Sequence, residues 1–149
     1  MTFSIRQASP LDHTALCPLF EAFYREEGFA DAVAGVSGNL THILSRSDTA
    51  AFIAEIDGDA IGAAAVSTSF GLEAGLYAEL EDLYVAIDHR GKGVATALID
   101  ASCAWAQSIG CHDVEIIVTE HGRDIAGLVP FYTRHDFTVT GRMIMERAL

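Results

Sequence analysis

Positive charge is scarce in this sequence: nine Lys and Arg stand against 21 Asp and Glu, for a net charge of −12. A surface of that sign repels polyanions, so neither nucleic acid nor an anionic membrane is an expected partner, while cationic small molecules are attracted. Cysteine is scarcer still. Cys17, Cys103 and Cys111 are odd in number and lack CxxC spacing, which excludes a disulfide framework and a zinc site as expectations; the thiols read as buried packing groups. His89, His112, His121 and His135 have no ligand spacing with a partner either, so no metal is assigned. Long apolar runs are missing: the stretch "AIGAAAV" falls far short of the ~20 residues of a membrane helix. The N-terminus has no basic segment leading into an apolar core, so no secretory signal is read and a cytoplasmic protein is expected.

What is present is half hydrophobic, with 13 glycines and only three prolines, the composition of an ordered globular chain. The length of 149 residues predicts one domain over 1–149. "FSIRQA" alternates as a first strand; Pro10 and Asp12 then open a helix running to about Gly28. Residues 28–39, punctuated by three glycines, read as a loop before a short helix in "NLTHILSR". Two strands flank Asp57-Gly58-Asp59 as a hairpin, and "YAELEDLYVAI" is a third, acidic strand. A helix from Val94 to Gly110 follows. "HDVEIIVTE" reads as a strand covered on both faces, "GLVPFYTRHDF" as a last helix with Pro130 in its first turn, and "TVTGRMIMERAL" as a strand or hairpin-like pair. The order β-α-α-β-β-β-α-β-α-β predicts an α/β (α+β) fold with a mixed central sheet and helices on both faces.

The segment "DHRGKGVATALID" carries the strongest chemical signal. A strand entering a glycine-rich turn and then a helix presents unpaired backbone N–H groups at the positive end of a helix dipole, a place suited to phosphate oxygens. Glycine keeps side chains from holding the anion away, and Arg90 and Lys92 add attraction. Two nucleotide patterns fail on spacing: no glycine begins GxxxxGK[ST], and Thr96 stands where GxGxxG needs its third glycine.

The turn instead resembles the [Q/R]-x-x-G-x-[G/A] pattern of the GCN5-related N-acetyltransferases (GNAT), here Arg90-Gly91-Lys92-Gly93-Val94-Ala95 after the strand "LEDLYVAIDH". "PFYTRHDF" is similar to that family's "FYxxxGF", and the element order agrees over nearly the whole chain. The resemblance implies that residues 90–95, with Thr96, cradle the pyrophosphate of acetyl-coenzyme A through their backbone. It implies further that Leu83, Tyr84 and Val85 line the pantetheine arm between two splayed parallel strands, with Val118 and Thr119 on the opposite wall. The sequence departs from the pattern at Asp136, where glycine is usual, and at Ile125, where asparagine is frequent.

Acetylating an amine needs a base, because alkyl amines with a pKa of about 10.4 are protonated near neutrality, and an acid for the departing thiolate. Glu79 and Glu81, two apart on one strand, are expected to share a face with Leu83 and Val85. By resemblance to diamine acetyltransferases Glu81 is the first choice of base, directly or through water, and Glu79 the second. Tyr132 matches the family's tyrosine that protonates the coenzyme A sulfur. Glu26, Glu27 and Asp31 cluster where the family builds part of its acceptor site; with the net charge they favour a small basic acceptor such as a polyamine, an aminoglycoside or a lysine-like amine. Competing readings are a protein N-terminal or lysine acetyltransferase, and a domain that binds coenzyme A without catalysis. Family resemblance also makes a homodimer through C-terminal strands compatible with the apolar "MIM" near the end.

Overall fold

Asp57 and Gly58 reverse the chain between the second and third strands, and both have positive φ (52° and 91°), as a primed two-residue hairpin turn demands. The computed structural model describes residues 2–119 and 125–149. Its elements are β1 (Ser4–Gln7), α1 (His13–Glu26), α2 (Val33–Ser45), β2 (Thr49–Ile56), β3 (Asp59–Gly71), β4 (Gly75–Val85), α3 (Val94–Ser108), β5 (Val114–Glu115) and α4 (Leu128–Thr133). The strands lie in sequence order in one sheet, antiparallel except for the β4–β5 pair, which is parallel. That parallel step requires a crossover, which α3 supplies.

Each face of the sheet has its own apolar core. On one, Leu16, Phe20, Val36 and Leu40 of α1 and α2 pack on Ile53, Ala63 and Ala65. On the other, Val94, Leu98 and Ile99 of α3 pack on Phe52, Ala64, Val66 and Leu80, with α4 contributing Phe131 and Tyr132 at the margin. Small residues in the middle of β3 let both layers approach closely. Gly62 is the tightest point: a Cβ there would lie 3.0 Å from the Tyr84 carbonyl oxygen and 3.2 Å from a Val94 methyl. Gly62→Ala is therefore expected to cost about 1–3 kcal/mol, read as a lowered midpoint in chemical denaturation.

Three expectations are corrected. Residues 28–39 are not a loop: a 3-10 turn (Ala30–Ala32) leads into α2, which begins at Val33 and carries Gly35 and Gly38 inside it. The buried pair Val36 and Leu40, one helical turn apart, outweighs the poor propensity of the glycines. Among its described residues the strand expected at "HDVEIIVTE" pairs only at Val114 and Glu115, and Ile117 is exposed, so it is an edge covered on one side. The C-terminal strand does not form: residues 138–149 belong to no ladder, and Val139, Met143 and Met145 are exposed. A further strand needs an edge to pair with, and β5 offers two residues of ladder. Among the described residues no helix is long and apolar enough to cross a membrane.

Candidate active site

The site begins with a bulge in β4. Val66 of β3 pairs with Leu80 and Ala65 with Asp82, leaving Glu81 as an extra residue. Because side chains alternate along a strand, one inserted residue exchanges the faces beyond it. Leu83 and Val85 consequently pack on the α3 side with Leu80, not beside Glu79 and Glu81 as strict alternation predicted. Asp82 turns instead to the α1 side, where the Tyr24 hydroxyl donates to it at 2.8 Å. Glu79 lies opposite Ser67, and the Ser67 hydroxyl donates to Glu81. Three carboxylates thus share one face.

Crowding and burial disturb their protonation. Burial pushes the Asp82 carboxyl up to about 6; the Tyr24 hydrogen bond opposes this and the neighbouring Glu81 charge adds to it. Glu79 is also raised, first by burial and then by Glu81, Glu115 and Asp82. Burial and the facing Asp82 hold the Tyr24 phenol protonated well above its ordinary range.

At the C-terminal end of β4 the chain enters the glycine turn. Gly91 and Gly93 take φ of 73° and 84°, the left-handed region that disfavours other residues, and Gly93 is the N-cap of α3 with no side-chain cap. The first N–H groups of α3 therefore remain for an anion, and a Cβ added at Gly91 or Gly93 would meet nothing within 4 Å. These residues fit a pyrophosphate. Val94 is buried, anchoring the turn, while the Thr96 hydroxyl lies 3.4 Å from His135 Nε2 after α4.

Arg90 and Lys92 both hydrogen-bond within the chain. The Arg90 guanidinium folds inward, donating to the Val85 carbonyl (2.8 Å) and to Glu26 (2.6 Å), and lies 5.5 Å over the Tyr84 ring. Tyr84 also donates to Glu26 at 2.8 Å, so both Glu26 oxygens tie the end of α1 to the turn. Burial opposes ionisation of Glu26, but these hydrogen bonds prevail and lower its pKa. The Lys92 ammonium donates to the Asp88 carbonyl at 2.7 Å. Glu27 follows α1 directly, and Asp31 is exposed in the 3-10 turn before α2.

Beyond Glu79, β4 has no ladder partner on its β5 side among the described residues, so no backbone pairing joins Leu83, Tyr84 and Val85 to Val118 and Thr119. His121 lies outside the described residues. Tyr132, in α4, is half-buried between Phe131 and Phe137, with ring centroids 5.1 and 5.7 Å away in edge-to-face contact. The chain turns after it through Asp136 at φ 65°, the left-handed conformation that the family's glycine would take freely. No group of three or more His, Cys, Asp or Glu able to hold a metal occurs among the described residues.

The model of the acetyltransferase (GNAT) family matches residues 13–137. The chain belongs to that family. A curated relative, described as an uncharacterized N-acetyltransferase of Methanocaldococcus jannaschii, is 30% identical over 97 residues, covering 64% of this chain and 42% of its own length. The GNAT chain thus spans under half of that relative. Among solved structures, aminoglycoside N-acetyltransferase AAC(6')-Iy in complex with CoA superposes with a TM-score of 0.84 at 23% identity, over 99% of this chain and 95% of its own. A ribosomal-protein-alanine N-acetyltransferase from Brucella melitensis biovar Abortus 2308 gives 0.79 at 20% identity, over 99% of both chains. Likeness at that identity establishes the GNAT fold.

The sequence missed Asp82 and Tyr24. The dense acidity of "ELED" was a signal that more than two acids lie at the site, but the bulge that turns Asp82 toward α1 depends on pairing with β3 and leaves no local mark.

Proposed function

We propose that this GNAT domain transfers the acetyl group of acetyl-coenzyme A directly to a primary amine of a small cationic acceptor. The observation that carries the reading is a single strand, β4, with carboxylates on one face, an edge beyond Glu79 that is unpaired among the described residues, and the glycine turn with its uncapped helix at its end. The turn takes the pyrophosphate, the β4 edge at residues 83–85 takes the pantetheine arm, and the thioester carbonyl is thereby brought toward Glu79 and Glu81. Glu81, held by Ser67, removes a proton from the acceptor ammonium; the free nitrogen attacks the carbonyl carbon. The C–N bond forms, the tetrahedral intermediate releases its surplus nitrogen proton to solvent, the C–S bond breaks, and the Tyr132 hydroxyl protonates the thiolate to give free coenzyme A and is itself reprotonated from solvent. Glu79 is the second choice of base. Glu27 and Asp31 add acidic charge on the acceptor side, with Glu26 fixed on Arg90.

Glu81→Gln is expected to lower kcat/KM for the amine by about a hundredfold or more while acetyl-coenzyme A binding persists. Steady-state thiol release compared with Glu79→Gln makes the assignment, and a larger loss at Glu79 would transfer the role to that residue. The exposed apolar tail, with Met143 at 85% and Met145 at 89% exposure, supports pairing with a second copy. Sedimentation should find a dimer for the full chain and a monomer for a chain ending at residue 137.

A further inference from the structure

A cavity of about 80 Å³ lies between α1, α2 and the sheet, next to the acidic face of β4. Its wall has three polar side chains, Asp82, Tyr24 and Asn39, and is otherwise apolar, with Phe20, Val36 and Leu40 among the contributors. Asp82 is its only ionisable carboxylate. Tyr24 fixes one Asp82 oxygen from α1, Asn39 faces the space from α2, Ala65 pairs with Asp82 from β3, and Glu81 precedes it on β4. No Lys, Arg or His lines the cavity, and no cationic side chain pairs with Asp82 among the described residues. A carboxylate withdrawn from water without a counter-charge is costly, and it is a ready partner for a cation that arrives from outside.

We propose that this cavity receives the second, non-reacting ammonium of the acceptor, with Asp82 as its counter-ion, and so selects unbranched diamines. The proposal rests on the acetyltransferase reading of the adjoining site and narrows its substrate class. The volume is several times what a single water needs, which leaves room for a short aminoalkyl arm. Phe20, Val36 and Leu40 suit the methylenes of such an arm, whereas a sugar ring would press its hydroxyls on them unpaired. Asp82 follows Glu81 along the same face of β4, so one amine can lie by the proposed base while the other reaches the cavity. Tyr24 is a positioning residue here: its hydroxyl orients one oxygen and leaves the other for the ligand.

Kinetics with 1,4-diaminobutane and n-butylamine as probe acceptors test this, on wild type, Asp82→Asn and Ala32→Leu, with thermal melts to verify folding. Asp82→Asn is isosteric, and Ala32 is an exposed residue at the cavity wall, so neither change threatens the core. Wild type is expected to prefer the diamine by about ten- to a hundredfold in kcat/KM, expressed mainly in KM. Both variants should collapse that preference by raising the diamine KM. In wild type the preference should fade as the pH is lowered through the ionisation of Asp82, and in Asp82→Asn that dependence should vanish. A preference that survives both substitutions, or a wild-type enzyme that takes kanamycin better than the diamine, overturns the proposal. Failure of wild type to acetylate any amine despite binding acetyl-coenzyme A would instead overturn the acetyltransferase reading itself.

Discussion

Gly93→Asp is expected to weaken acetyl-coenzyme A binding at least a hundredfold while the fold survives. Gly93 sits at φ 84° with nothing within 4 Å of an added Cβ, so the substitution strains the backbone by about 1–2 kcal/mol but meets no steric block. Its carboxylate, however, stands at the N-terminus of α3, where it competes for the same N–H groups and repels the pyrophosphate. Calorimetric titration and a thermal melt of the same sample separate the two effects. A Kd within a few fold of wild type would mean that the anion site is elsewhere.

Tyr132→Phe is expected to lower kcat by about a hundredfold or more at neutral pH, with little change in the KM for acetyl-coenzyme A. The aromatic contacts with Phe131 and Phe137 survive the substitution, so only the hydroxyl is tested. The deficit should shrink as the pH rises past about 8.5, the ordinary pKa of an alkyl thiol, because the leaving thiolate then needs less help. A deficit independent of pH up to 10 would point to a role other than protonating sulfur.

The legible parts of this protein are those whose physics is local. Gly91 and Gly93 are required by their own backbone angles, and the hairpin at Asp57 and Gly58 is specified by two adjacent residues. Asp136 adopts the left-handed turn that the missing glycine implied. What escaped the sequence depends on partners distant along the chain. The β4 bulge exists only through pairing with Ala65 and Val66, and it alone decides that Asp82, not Leu83, accompanies Glu81. The inward fold of Arg90 depends on Glu26, 64 residues away. The start of α2 at Val33 was hidden because Gly35 and Gly38 read as punctuation until Val36 and Leu40 were seen to be buried. The apolar tail alternates like a strand, yet alternation supplies no partner.

The most direct test is a calorimetric titration of the purified protein with acetyl-coenzyme A, followed in the same preparation by thiol release with polyamines, aminoglycosides and short peptides. The proposed function predicts saturable binding at one site per chain and turnover with small cationic amines. Absence of binding would contradict the assignment of residues 90–95 as the pyrophosphate turn, and with it the account of the site.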